Sequence, residues 1–128
     1  MRIGKVYRFE AAHHLPGHKG KCAAPHGHSY KLEVEISADD LIPTGPSDGG
    51  MVMDFEELDN LIKPLLEVLD HSDLNVSART HLHIDRTTAE FLCLGIGRWF
   101  DSVTFSRRVR ISRIRLWETD RCYAEWTP

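Results

Sequence analysis

The stretch His28-Ser29-Tyr30-Lys31-Leu32-Glu33-Val34-Glu35-Ile36-Ser37 puts Tyr30, Leu32, Val34 and Ile36 on one side and Lys31, Glu33, Glu35 and Ser37 on the other. A period of two with one apolar and one polar side is a strand that lies on a core and shows its other face to water. Upstream, Lys5 to His13 repeats the pattern, with Tyr7, Phe9, Ala11 and His13 sharing one face and Arg8, Glu10 and Ala12 the other. Between the two strands, Pro16 to Pro25 holds two Gly, two Pro and two Lys, which is loop composition. Far downstream, Arg110 to Glu118 sets Ile111, Arg113, Arg115 and Trp117 against Ser112, Ile114, Leu116 and Glu118, and Cys122 to Trp126 completes a hairpin.

Two helices fill the middle. After a loop marked by Pro43, Gly45, Pro46, Gly49 and Gly50, Asp54 with Glu57 three residues on forms a capping signature. Leu58, Leu61, Ile62, Leu65, Leu66 and Leu69 then make one apolar stripe. Pro64 inside it predicts a kink or a break into two shorter helices. A second helix is expected from Thr87, with Glu90 as its box partner, to about Phe100; Gly95 and Gly97 weaken its middle by roughly 1 kcal/mol each. The order strand, strand, helix, helix, strand, strand predicts an α+β fold with a four-stranded antiparallel sheet and two helices packed on one face. Its two open edges need covering, and other copies of the chain could supply that.

At 128 residues and 14.6 kDa the whole of 1–128 is expected to be a single domain. With 41% hydrophobic and 27% charged residues and a formal charge of −3, the chain is neither disordered nor collagen-like, and no polyanionic partner is called for. Arg107, Arg108, Arg110, Arg113 and Arg115 form the one basic run, but without an aromatic stacking platform they read as a solvated sheet face or subunit contact rather than a nucleic-acid footprint. The longest stretch free of charged and strongly polar residues, Phe91 to Gly97, falls far short of the roughly 20 apolar residues that span a bilayer. Residues Met1 to Glu10 lack the apolar core of a secretory signal, so a cytoplasmic location is expected. Three cysteines are too few and too odd a number for a disulfide framework.

Eight histidines are the anomaly. His26 and His28 enter the second strand one residue apart, so their imidazoles share a face at roughly 7 Å, twice the strand rise. His13 ends the first strand and joins them if the two strands pair as a hairpin; His14 is its rival, since adjacent residues face opposite ways. His14, His18, His81 and His83 otherwise read as loop or surface residues. Three imidazoles with an open fourth position suit a catalytic zinc, without excluding iron, copper or nickel. Cys22, beside Lys19 and Lys21, is either a fourth ligand closing a structural site or a base or nucleophile next to the metal. Cys93 and Cys122 read as small buried hydrophobes. Asp70-His71 is either a proton shuttle or an ordinary helix terminus. Glu118 shares a face with Ile114 and Leu116, where a carboxylate needs a donor-rich ligand.

These residues resemble the family of 6-pyruvoyltetrahydropterin and 6-carboxytetrahydropterin synthases, of the tunnelling fold or T-fold. The resemblance runs over nearly the whole chain, through Phe9-Glu10-Ala11-Ala12-His13, Cys22-Ala23-Ala24-Pro25-His26-Gly27-His28, Met51-Val52-Met53-Asp54-Phe55, Leu69-Asp70-His71-Ser72-Asp73-Leu74-Asn75, Thr88-Ala89-Glu90 and Trp117-Glu118-Thr119. It implies that His13, His26 and His28 hold Zn2+, that Cys22 is the catalytic thiolate and not a ligand, and that Asp70 and His71 form an acid/base pair supplied across a subunit boundary. It further implies that Glu118 binds the pterin 2-amino and ring N–H edge, that Thr88 and Glu90 belong to the substrate site, and that trimers stack into hexamers whose sheets close a barrel. The substrate implied is 7,8-dihydroneopterin triphosphate. The three residues between Cys22 and His26 are similar to the carboxy-forming members of the 7-deazaguanine and queuosine route, whose products are 6-carboxy-5,6,7,8-tetrahydropterin, acetaldehyde and triphosphate. The alternatives are the pyruvoyl-forming elimination of triphosphate, a non-catalytic zinc- and pterin-binding homologue, and a closed structural zinc site. The chain departs from the family pattern at Ala24, Pro25, Thr87 and Phe91, and Lys19, Lys21 and Arg86 are the candidate phosphate contacts.

Overall fold

Alternation in the first two strands builds a hairpin. The computed structural model describes residues 1–103 and 108–128, with β1 at Arg2–His13 and β2 at His26–Ala38 paired antiparallel from Arg2 opposite Ser37 to His13 opposite His26. On the inner face Phe9, Ala11 and His13 of β1 are buried, as are Tyr30, Leu32, Val34 and Ile36 of β2. Three helices follow, α1 (Phe55–Leu69), α2 (Ser77–Leu82) and α3 (Ala89–Ser102), and the chain closes with β4 (Val109–Thr119) and β5 (Cys122–Trp126). A two-residue strand, β3 (Ser72–Asp73), pairs parallel with Ala11 and Ala12, so among the described residues the sheet has five strands in the order β3-β1-β2-β4-β5 rather than the four expected. Two residues cannot display a period, and the six of α2, which bury only Ala78 and Leu82, barely can. The buried apolar side chains form a single cluster between sheet and helices.

Two local expectations are corrected. α1 runs as one helix through Pro64 rather than breaking into two, burying Leu58, Ile62, Leu65 and Leu69 with Leu61 and Leu66 half-covered. Pro64 stands on the exposed side, as does Asn60, whose carbonyl loses its helical partner where water can replace it. Asp54 caps the helix by accepting from the Glu56 N–H at 2.8 Å. In β4 the register slips opposite Glu35 and Ile36, which face Arg113 and Ile111 and leave Ser112 without a partner. This bulge turns Ile111 and Ile114 to the same buried face, which strict alternation placed on opposite sides.

α3 begins at Ala89 with Thr88 as its cap, one residue beyond the cap expected at Thr87. Its glycines are there for contact: a Cβ on Gly95 would come within 2.8 Å of Ile84 Cγ2, and one on Gly97 would overlap the Trp126 ring of β5. Gly97→Ala is therefore expected to destabilise by about 1–3 kcal/mol despite alanine's better helix propensity; the urea midpoint checks it, and a gain in stability would refute that packing.

On the outer face the arginines are paired. Arg110 meets Asp39 at 2.7 Å, Arg113 meets Glu35 at 3.1 Å, and Arg115 meets Glu125 at 2.6 Å and Glu33 at 3.5 Å. Arg108 donates to the carbonyls of Asp40 and Val52. Arg107 lies outside the described residues. Guanidinium groups already matched to carboxylates and carbonyls suit a solvated sheet face. Among the described residues no helix is long and apolar enough to cross a membrane.

Candidate metal centre

Because His13 sits opposite His26 in the β1–β2 register and His28 follows two residues on, three imidazoles converge at the open end of the hairpin. One ligand atom from each lies within 4.8 Å of the others, and ring centroids are 4.6 Å (His13–His26), 4.9 Å (His26–His28) and 5.1 Å (His13–His28) apart. The side chains thus lean together from the wider spacing that the strand rise sets. His14 is not in the group; only its rival on the inner face is.

Backbone carbonyls orient two of the rings. His13 Nδ1 donates to the Thr87 carbonyl at 2.7 Å and His26 Nδ1 to the Ala24 carbonyl at 2.8 Å, which leaves each Nε2 as a lone pair in the neutral ring. His13 Nε2 and His28 Nε2 are buried with no hydrogen-bond partner. The Glu118 carboxylate stands 3.3 Å from His13 Nε2 and 3.7 Å from His28 Nε2. Three imidazoles converging with two buried, unpartnered nitrogens and a carboxylate beside them favour a bound cation, and the nitrogen donor set fits a divalent metal. Burial pushes the His28 pKa down, with His13 and His26 acting the same way against the opposing pull of Glu118. A neutral imidazole is the form that ligates.

Cys22 occupies a single 3-10 turn, Lys21–Ala23, half-buried and outside any disulfide, and it is not part of the metal group. Its loop is tied down by Leu15 N–H to the Cys22 carbonyl (2.8 Å) and by Arg86 Nη2 to the Pro16 carbonyl (3.1 Å). Among the candidate phosphate contacts, Arg86 thus has a structural bond as well. Three residues separate Cys22 from His26, and the Ala24 carbonyl between them holds the His26 ring, so thiol and imidazole share one short support.

Asp70 and His71 are joined, Oδ2 to Nδ1, at 2.9 Å. Asp70 Oδ1 also accepts from the Glu10 N–H at 2.8 Å, and this bond first, then His71, holds its carboxyl below the usual carboxylate range. His71 takes a left-handed backbone (φ 54°) as its N–H turns back to the Glu10 carbonyl. An open concavity of about 490 Å³ is lined by His71 and His28 together with Glu10, Ala12, Gly27 and Ser29. Neither Cys22 nor Glu118 lines it. The Thr88 hydroxyl caps α3, accepting from Phe91 N–H at 3.4 Å, and Glu90 is exposed in the first turn.

Three contributors escaped sequence reasoning. Thr87 acts through a main-chain carbonyl, which any residue type supplies. Asn75 bonds the backbone of His14, 61 positions away. Tyr30 sets its ring edge-on to His28 at 5.5 Å, with its hydroxyl buried and unpartnered and burial raising its pKa well above that of a free phenol. The face shared by Tyr30 and His28 was the only available signal.

A family model described as 6-pyruvoyl tetrahydropterin synthase matches residues 2–128. A 6-carboxy-5,6,7,8-tetrahydropterin synthase of Haemophilus influenzae is 35% identical over 143 residues, covering 98% of each chain. One of Synechocystis sp. is 44% identical over 95 residues, covering 73% of this chain and 70% of its own. A solved 6-pyruvoyl tetrahydropterin synthase of Caenorhabditis elegans superposes with a TM-score of 0.82 at 23% identity, covering 100% of this chain and 95% of that one, a likeness of fold.

Proposed function

The chain belongs to the 6-pyruvoyl tetrahydropterin synthase family, and from that premise we propose that it is a zinc-dependent 6-carboxy-5,6,7,8-tetrahydropterin synthase of the cytoplasm, serving 7-deazaguanine and queuosine formation. It converts 7,8-dihydroneopterin triphosphate and water to 6-carboxy-5,6,7,8-tetrahydropterin, acetaldehyde and triphosphate. The observation that carries this reading is the convergence of His13, His26 and His28 with two buried, unpartnered Nε2 atoms. The names of the similar sequences support the carboxy-forming product.

His13, His26 and His28 would hold the zinc, which when bound supplies Lewis acidity to the hydroxyls of the substrate side chain. Glu118 accepts hydrogen bonds from the pterin 2-amino group and ring N–H, with Thr88 and Glu90 nearby on the substrate side. Cys22, as thiolate, takes a proton from side-chain carbon. Asp70 fixes the His71 tautomer, and His71 exchanges a proton with the substrate at a second position. Since the concavity beside His71 excludes Cys22 and Glu118, a second copy is the proposed source of the Asp70-His71 pair that meets them. Among the described residues β1 pairs with β3 only at Ala11 and Ala12, and β5 ends the sheet on the other side. Such open rims favour joining of sheets, and a hexamer of two stacked trimers would close them into a barrel.

Zinc-loaded protein incubated with 7,8-dihydroneopterin triphosphate and followed by mass spectrometry is expected to yield the carboxy product with acetaldehyde. The pyruvoyl product would move the chain to the other activity of the family. Bound zinc and no turnover would make it a pterin-binding homologue.

A further inference from the structure

We infer that Asn75 is a positioning residue of the metal centre, its side-chain amide standing in for a missing strand residue beside His13; this rests on the zinc reading above. The segment after α1 docks along β1 bond by bond. His71 N–H donates to the Glu10 carbonyl and Leu74 N–H to the Ala12 carbonyl at 2.9 Å. The next rung falls on His14, but the chain is already turning into α2: Asn75 N–H is taken by Asp73 Oδ1 at 2.9 Å and Val76 N–H by the Asp73 carbonyl at 3.0 Å. The main-chain N–H groups of Asn75 and Val76 are thus turned away from His14.

The Asn75 side chain fills that rung. Its Oδ1 accepts from His14 N–H and its Nδ2 donates to the His14 carbonyl, each at 2.9 Å. A primary amide carries one acceptor and two donors in a plane, as a peptide group does in part, and only this orientation of the amide matches donor to acceptor on both arms. Thr87, fully buried, closes the arrangement: its hydroxyl lies 3.3 Å from the His14 carbonyl and 3.4 Å from Asn75 Oδ1, while its own carbonyl fixes the His13 ring. The ring of His13 and the peptide that follows it are thereby held from two directions. Outer contacts of this kind set the orientation of a ligating imidazole and change metal affinity when lost.

The clamp also ties two parts of the proposed chemistry together. The run from Asp70 to Asn75 carries the acid/base pair at one end and the grip on the metal ligand at the other, against the end of β1 from Glu10 to His13 and the residue after it, His14.

The test measures zinc dissociation constants by chelator competition on the intact chain, the visible spectrum of its Co2+ form, and hydrogen exchange of the His14 amide without metal. Asn75→Ala is expected to weaken zinc about 10- to 100-fold, alter the Co2+ bands and speed His14 exchange. Asn75→Asp keeps the acceptor for His14 N–H and loses the donor, so an intermediate loss is expected, and it carries the test if the alanine variant does not fold. Wild-type affinity and an unchanged Co2+ spectrum in a folded variant would overturn the inference, even with faster His14 exchange, because the clamp would then serve folding alone. If the unsubstituted chain takes up no zinc, the metal reading itself fails, which is a different result.

Discussion

His26→Ala is expected to strip the protein of zinc and to lower turnover on the order of 10³-fold or more, since the several kcal/mol that a Lewis acid contributes at the reacting hydroxyls would vanish with it. His26 is the informative position. It is half-buried at the start of β2, and its Nδ1 bond goes to an adjacent loop carbonyl, so the core does not depend on it. His13 is only 2% exposed and is bonded to Thr87, so its removal would leave a hole and an unpaired carbonyl, mixing lost stability with lost metal. Metal content of the purified variant, its thermal midpoint and its rate must be read together. A folded, inactive variant with full zinc content would contradict the assignment.

Cys22→Ala separates the two roles that its position allows. As a proton acceptor its loss should lower kcat by about 10² to 10⁴-fold and leave zinc stoichiometry intact. As a fourth ligand its loss would release the metal. The separation of Cys22 from the three-imidazole group favours the first outcome. Cys22→Ser, retaining an oxygen of much weaker acidity, should recover little. Cys93 is buried against the carbonyls of Ile114 and Ala124, with burial raising its pKa to about 11, and so cannot substitute as thiolate, whereas Cys122, expected to be buried, is exposed on β5.

What the sequence revealed and what it hid follow from the range over which each interaction acts. Strands with one wet and one dry face write that fact into every second residue, so β1 and β2 could be read directly, and with them the convergence of His13, His26 and His28. Choosing His13 over His14 needed only the parity of the strand, since His13 shares its face with Phe9 and Ala11. The bulge at Ser112 breaks parity without any residue type that announces it, and Ile111 was placed on the wrong side for that reason. Pro64 misled because a proline on the wet side of an otherwise well-packed helix gives up a bond that water can replace. The short β3 owes its existence to its docking on β1, and the supports of the metal site, Thr87 and Asn75, lie 74 and 61 residues from the groups they hold. Contacts of that kind depend on tertiary placement, and no local pattern encodes them.

X-ray absorption at the zinc edge on the reconstituted protein bears most directly on this account. Three nitrogen scatterers at about 2.0–2.1 Å with one oxygen, and no sulfur, are predicted. A sulfur at about 2.3 Å would make Cys22 a ligand and the site a closed structural one, and absence of bound zinc would leave the three histidines without the role assigned to them.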